Sequence, residues 1–350
     1  MKDLARKILY PFDALYAAAV TARNYAYDHE LLNSEHLPAP VLSVGNISVG
    51  GSGKTPFTMY LIGKLLESGR KPAVLSRGYM RLTEDLAISC PAQGFMADVR
   101  SLGDEPALIS QSFPAVPVAV NRDRFKAGME VIEKCGADIF ILDDGFQNRE
   151  LARDADFVLM RDSLADLTDQ YLPSGNLRDS KKRLGQAQII VLTSHERFGL
   201  HETDFGILRK FSDAAVAGVS FLLSHFADVA GSVYSTDQLR EREVVAFCGI
   251  AGPDAFFDGV RRLNLNVTGV KAFRDHHWYD EYDLDEIFGG NDESIAVTTS
   301  KDAVRIFLDG ELNGHDDVKR IYALQEKAVV NFGSEHIDAA LSTALGAVYV

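Results

Sequence analysis

Short runs of aliphatic and β-branched residues alternate with longer stretches of helical period along most of this chain. Residues 41–44, 72–76, 117–120, 138–142, 156–160 and 189–193 are mostly apolar runs of strand length, and residues 57–68, 105–111 and 124–134 carry helical spacing between several of them. Strands without polar alternation are covered on both faces. The order therefore predicts β-α-β crossovers and a mostly parallel sheet sandwiched by helices. Residues 225–243 are mixed and polar, and then the pattern restarts, with strand runs at 244–247, 267–273, 295–299 and 321–324. The expected division is an N-terminal amphipathic helix over residues 1–36, a sheet domain over 37–235 and a smaller α/β domain over 236–350. The Gly249/Gly252 turn has something of a dinucleotide-binding turn but lacks the full glycine pattern, so it reads as a plain strand–helix turn. The acidic run at 280–285 reads as a solvated helix start.

Composition narrows the class. With 350 residues and 46% hydrophobic content, the chain is long enough for two packed domains and far from disorder. A net charge of -14 repels a phosphate polymer over most of the surface and argues against a nucleic-acid partner. Cys90, Cys135 and Cys248 are widely spaced, with no C-x-x-C, and suit a reducing compartment. The first 27 residues depart from the acidic whole: Lys2, Arg6, Lys7 and Arg23 stand against Asp3 and Asp13. No stretch is long and apolar enough for a spanning helix, and Pro11, Asp13 and Arg23 interrupt any secretory signal. An apolar, aromatic segment flanked by bases can lie in a membrane interface, or it can pack on the domain behind it.

The most informative chemistry follows the first strand. Ser48-Val49-Gly50-Gly51-Ser52-Gly53-Lys54-Thr55 is a glycine-rich turn ending in Lys-Thr and leading into a helix. Glycines let successive N–H groups point at phosphate oxygens, and the helix adds its positive end. Lys54 then reaches the β/γ-phosphates of ATP and the Thr55 hydroxyl holds Mg²⁺. Ser48 stands where the generic phosphate-loop pattern has its first glycine. Pro56 is tolerated, because the first helical turn has no internal partner for the missing N–H.

The run 139–142 ends in Asp143-Asp144-Gly145. A phosphate-loop enzyme needs an acidic residue at a neighbouring strand tip for its metal. Asp143 fits that role, with Asp144 at the metal or the γ-phosphate; without the loop the same residues would read as a turn. Asp104, before Pro106, suits a helix N-cap and equally a general base for a substrate hydroxyl. His276 and His277 follow a strand of the predicted second domain. A pairing of His276 with Asp104 would orient a proton acceptor, and the two fall on different predicted domains, so domain closure would have to join them.

Taken in order, these pieces resemble the tetraacyldisaccharide 4'-kinases of lipid A biosynthesis over nearly the whole chain. The resemblance rests on Arg23-Asn24, on residues 43–55, on Leu75-Ser76-Arg77-Gly78-Tyr79, Gly103-Asp104-Glu105-Pro106, Leu142-Asp143-Asp144-Gly145-Phe146-Gln147, residues 172–178, Asp275-His276 and Thr298-Thr299-Ser300-Lys301-Asp302. Ser48 is what that family carries. The departures are Asn148 in place of a histidine, Arg274 in place of a proline, His277 at an aromatic position, and Ser300. The resemblance implies transfer of the ATP γ-phosphoryl group to the 4'-hydroxyl of an acylated glucosamine disaccharide 1-phosphate. Lys54 and Asp144 would then join Asp104 and His276 in catalysis, Thr55, Asp143 and Asp144 would hold Mg²⁺, and Arg23, Asn24, Arg77, Tyr79 and Arg178 would meet the substrate. It also implies a peripheral protein on the cytoplasmic face of a Gram-negative inner membrane, where the lipid substrate resides. The competing readings are a switch ATPase acting on a protein partner and a kinase of a soluble metabolite.

Overall fold

The computed structural model describes residues 2–195, 205–291, 293–312 and 314–346, with side chains from residue 11 onward. The chain forms two compact units. One comprises Met1–Arg77, Ala115–Phe221 and Ala328–Val350; the other comprises Gly78–Pro114 and Leu222–Lys327. This differs from the contiguous division at 235/236. Two long strands, Ala215–Ala227 and Ile321–Phe332, each carry the chain from one unit into the other. A change of unit inside a strand leaves no polar linker to read. The segment from Gly78 to Pro114, which contains Asp104, also belongs with the later part of the chain.

In the first unit, parallel strands run in the order Ala215–Ala227, Ile189–Ser194, Ala155–Arg161, Val41–Gly45, Ile139–Asp143, Pro72–Ser76, Val118–Val120. Five of them match the expected apolar runs within a residue or two at each end, and Val118–Val120 is one residue shorter than expected. Every residue of the strand Val41–Gly45 is buried, as expected of a central strand with helices on both faces. Its register sets Val44 beside Asp143, so the first strand and the acidic strand end at the same level. Ligands of open parallel sheets bind beyond such carboxyl ends. The helix Lys54–Glu67 buries Phe57, Leu61, Ile62 and Leu65 against the sheet.

The helix Lys2–Asp28 opens this unit. From residue 11 onward, Asp13, Val20 and Asn24 are buried, while Phe12, Leu15 and Tyr25 are 57%, 69% and 56% exposed. The inward face is thus largely polar and the outward face largely apolar, the reverse of an ordinary surface helix. The Lys2, Arg6 and Lys7 side chains lie outside the described residues. No described helix is long and apolar enough to cross a membrane.

The second unit holds parallel strands in the order Asn266–Ala272, Glu243–Cys248, Ile295–Thr299, Ile321–Phe332. Alternate residues feed two cores: Phe247 and Ala296 on one face, and Val244, Ala246, Ile295 and Val297 on the other. The acidic run is a solvated helix start, with Asp280 capping the helix Glu281–Phe288 through the Asp283 N–H.

Candidate active site

The phosphate loop joins Gly45 to the helix at Lys54. Two of its glycines take conformations other residues avoid: Gly50 has φ 110° and Gly53, at the N-cap, has φ 76°. A Cβ on Gly53 would also sit 1.9 Å from Phe221. Around Gly50 and Gly51, by contrast, no described atom beyond the adjoining residues lies within 4 Å of where a Cβ would be. The turn is therefore tightly supported from behind and open in front, as a phosphate cradle requires. Ser48, Ser52 and Thr55 are buried, and Val49 is about one-third exposed (38%).

Both aspartates of the acidic strand end take part, differently. Asp143 is buried and accepts a hydrogen bond from Thr58 Oγ1 at 3.1 Å, which ties it to the loop helix. Asp144 has φ 52° and a side chain 36% exposed. Lys54 Nζ lies 3.6 Å from Asp144 Oδ1, and Arg178 Nη1 donates to Asp144 Oδ2 at 2.9 Å. Crowding by protein pushes the Asp144 carboxyl up, but the Lys54 charge and the Arg178 contacts outweigh it and hold the group below the usual range. Among the described residues no cluster of three or more His, Cys, Asp or Glu forms a metal cage. The buried Thr55 hydroxyl at the start of the loop helix and the two carboxylates at the end of the neighbouring strand are the donor types that suit Mg²⁺, whose shell phosphate oxygens and water complete. The residues fit both ATP and Mg²⁺.

A second loop clamps this one. Val49 N–H donates to Asn176 O at 2.8 Å, Arg178 N–H to Ile47 O at 2.9 Å, and Ser48 bridges Leu177. Arg178 also donates to Asn46 Oδ1, and Asn46 Nδ2 donates to Ser52 Oγ at 2.9 Å. Behind it, buried Asp179 accepts from Asn24 Nδ2 at 2.9 Å and pairs with buried Arg183, with Arg23 3.7 Å away. Asn24 and Arg23 thus hold the loop from the rear, while Arg178 reaches the phosphate-loop residues. Arg77 is exposed at the end of the strand Pro72–Ser76. Asn148 lines a cavity of about 430 Å³ together with Arg122, Arg124 and Glu150.

In the second unit, Asp104 is not a helix cap. The N-cap of the helix Asp104–Ser112 is Gly103, with φ 85°, and Asp104 is the first helical residue. A Cβ at Gly103 would press to 3.0 Å from the Tyr79 carbonyl, which keeps that position a glycine. The Asp104 carboxylate turns away from its own helix. Its Oδ2 accepts from His276 Nδ1 at 2.9 Å and from Arg305 Nε at 2.9 Å, with Arg305 Nη2 at 2.8 Å. Both members of the expected pair lie in one unit, so their meeting needs no domain closure.

Burial raises the Asp104 carboxyl, yet the bonds from His276 and Arg305 win and hold it below the usual range. The bond to Asp104 lifts His276 above its ordinary value against its own desolvation. An ionised carboxylate only accepts, so the His276 proton facing it is on Nδ1. His276 also holds φ 55°, a left-handed conformation uncommon outside glycine, with its N–H bonded to the Gly249 carbonyl. Its neighbour is otherwise engaged: His277 Nε2 lies 2.8 Å from Asp283 Oδ2, and the ring stacks on Phe273. Tyr79, 70% exposed, sets its ring at an edge to His276 with centroids 5.9 Å apart.

Sequence reasoning gave no role to Arg305, Asn46 or Asp179. Arg305 had one available signal: it stands three residues after Asp302, the i,i+3 spacing of a helical ion pair. The Gly249 turn proves to brace the pair. Its N–H donates to Asp302 Oδ1 at 3.0 Å and its carbonyl accepts from the His276 N–H at 3.1 Å.

Comparison with known proteins shows the family and the fold. A family model described as tetraacyldisaccharide-1-P 4'-kinase matches residues 5–346. A tetraacyldisaccharide 4'-kinase of Aquifex aeolicus is 36% identical over 307 residues, covering 87% of this chain and 90% of that protein. One from Pelobacter propionicus is also 36% identical, over 303 residues, covering 85% and 82%. A crystal structure described as the "apo" form of LpxK from Aquifex aeolicus in complex with ATP aligns with a TM-score of 0.83 at 32% identity, covering 97% of this chain and 99% of that one.

Proposed function

The chain belongs to the tetraacyldisaccharide 4'-kinase family, and from that premise we propose how its residues divide the work of phosphorylating a lipid A precursor. It is an ATP-dependent kinase, transferring the γ-phosphoryl group to the 4'-hydroxyl of a tetraacyldisaccharide 1-phosphate. The P–O bond to the ADP leaving group breaks, a P–O bond to the sugar oxygen forms, and the hydroxyl proton must go to the protein or solvent. Lys54 and the loop amides of residues 48–55 bind the phosphates. Thr55 and Asp143 would hold Mg²⁺, with Asp144 fixing Lys54 and Arg178 on the same side. Bound there, Mg²⁺ would supply neutralisation of the phosphate charge.

The observation that carries the acceptor half is the Asp104–His276 hydrogen bond of 2.9 Å. A switch ATPase has no use for an oriented carboxylate-imidazole pair turned away from its own helix. A kinase of a sugar hydroxyl does. Asp104 takes or orients the hydroxyl proton, and His276 holds the carboxylate. A loose phosphoryl-transfer transition state asks little of its base, which suits a carboxylate held ionised by its neighbours. Arg77 and Tyr79 serve the anionic and sugar groups of the acceptor, while Asn24 and Arg23 act from behind through Asp179. The apolar outer face of the first helix serves a membrane surface, where the lipid acceptor resides.

The deciding experiment is incubation with γ-labelled ATP and the disaccharide 1-phosphate in mixed micelles. Label should enter the lipid, and ATP consumption should depend on the acceptor. ATP hydrolysis that ignores the lipid but responds to a protein partner would overturn the reading.

A further inference from the structure

Arg305 is the largest fully buried side chain in the described structure, at 1% exposure, and its guanidinium spans two carboxylates. Nε and Nη2 lie 2.9 and 2.8 Å from Asp104 Oδ2, while Nη1 donates to Asp302 Oδ1 at 2.9 Å. Nη1 also donates to the His277 carbonyl at 3.1 Å. Asp302 is itself fixed, accepting from Tyr279 Oη at 2.9 Å and from the Gly249 N–H, and meeting Thr299 Oγ1 at 2.6 Å. The guanidinium therefore has one orientation, set by the helix Ser300–Phe307, the Gly249 turn and the loop after the strand Asn266–Ala272. Both donors directed at Asp104, and the His276 imidazole with them, fall on the same oxygen, Oδ2.

We propose that Arg305 is the positioning residue of the Asp104–His276 pair: it grips Oδ2, fixes the carboxylate rotamer, and thereby dedicates Oδ1 to the incoming hydroxyl. The inference rests on the kinase reading above. A structural counter-ion alone would need only charge. Here the planar fork matters, because a single ammonium cannot place two donors on Asp104 and a third on Asp302. The charged and titratable groups around Asp104 are His276 with Asp275 behind it, Arg305 with Asp302 and Tyr279, and the neighbouring Glu105–Lys301 pair. Of these, Arg305 is the fully buried cation, and removing it raises the Asp104 carboxyl, so the acid limb of activity moves to higher pH.

The test compares Arg305→Lys and Arg305→Met in the full chain, with the disaccharide 1-phosphate as acceptor. Arg305→Lys should leave the acid limb and the KM for ATP near wild type while kcat falls about tenfold or more, since charge is kept and orientation is lost. Arg305→Met should move the acid limb up by about one pH unit, roughly a tenfold loss of rate below the wild-type limb. Wild-type kcat in Arg305→Lys overturns the orientation claim, and that variant decides alone if Arg305→Met does not fold. A wild-type pH limb in folded Arg305→Met overturns the claim that Arg305 keeps the carboxylate ionised. A further readout needs no acceptor: titration of the His276 ring by nitrogen NMR should shift upward in Arg305→Met, because a neighbouring positive charge is gone. If wild type phosphorylates no lipid, the kinase reading fails; an unmoved His276 titration sinks the inference itself.

Discussion

Asn24 and Asp179 meet through a hydrogen bond of 2.9 Å, although 155 residues separate them in sequence. Asp179 is fully buried and also pairs with Arg183, while its neighbour Arg178 holds Asp144 and Asn46 beside the phosphate loop. The first helix is therefore wired to the nucleotide side through two contacts in series, Asn24 to Asp179 and, one residue along the chain, Arg178 to Asp144 and Asn46. Asn24→Ala should destabilise the fold by about 1–3 kcal/mol, the cost of stranding a buried acceptor. Asp179→Asn should cost more, about 3–5 kcal/mol, because it leaves Arg183 as an uncompensated buried charge. Urea unfolding measures both; equal, negligible shifts would mean the wiring carries no energy.

Lys54→Ala and Thr55→Ala should each lower kcat by about 10² or more with unfolding midpoints unchanged, since both groups act where charge develops in the transition state. Asp144→Asn should reduce kcat as well, because Lys54 and Arg178 then lose the anion between them. A Lys54→Ala enzyme with near-normal turnover would remove the phosphate-loop assignment.

The Asp104–His276 pair should behave as one unit. Asp104→Asn is expected to abolish transfer with little change in ATP affinity, and His276→Ala to be milder. The double variant should be barely worse than Asp104→Asn. Steady-state kinetics of the three variants test this, and losses that multiply would show two independent roles.

The same pair fixes the sign of a pH effect on stability. The Asp104 pKa is lowered on folding, so its contribution is present above the unfolded carboxylate value and is lost as pH falls through the folded one. The His276 pKa is raised, so its contribution is present below the unfolded imidazole value and is lost as pH rises through the folded one. The stability gap between wild type and His276→Ala should therefore be larger near about pH 5 than near about pH 9. Chemical denaturation at the two pH values decides it; a gap that grows with pH contradicts the ion pair.

Much of this was legible before the structure, and for identifiable reasons. The strands at 41–45, 72–76 and 295–299 are short apolar runs buried on two faces, so composition alone marks them. The phosphate loop is contiguous, and its glycines, lysine and threonine declare their use. What stayed hidden is long-range. Nothing local says that residues 78–114 join the second unit, so Asp104 read equally as an N-cap. For Asn24 the family resemblance implied a substrate contact, and nothing local showed that its amide is buried against Asp179. Arg305 lies in an unremarkable amphipathic helix, and only the tertiary fold turns it toward Asp104.

The first helix carries the last prediction. Its inner face is wired to the loop at 174–179, with Ser174 N–H donating to Asp13 Oδ1 at 3.0 Å and Tyr16 Oη to Arg178 O at 3.2 Å. Deleting residues 1–27 would thus damage catalysis whether or not the helix meets a membrane. The outer face separates the two roles, since Phe12 and Leu15 point away from the described protein and are more than half exposed. Phe12→Ser with Leu15→Ser should leave the unfolding midpoint and soluble ATP binding unchanged. Each large apolar side chain moved from water into lipid is worth about 1.5–3 kcal/mol, so partitioning onto vesicles should fall roughly a hundredfold or more. Vesicles of neutral phospholipid with a share of anionic lipid are the probe, with sedimentation at low and high salt. Binding by wild type should weaken with salt, as attraction between basic residues and anionic headgroups does. If the double variant binds as well as wild type, the exposed face is not the membrane contact. The helix is then solely the rear brace of the phosphate loop.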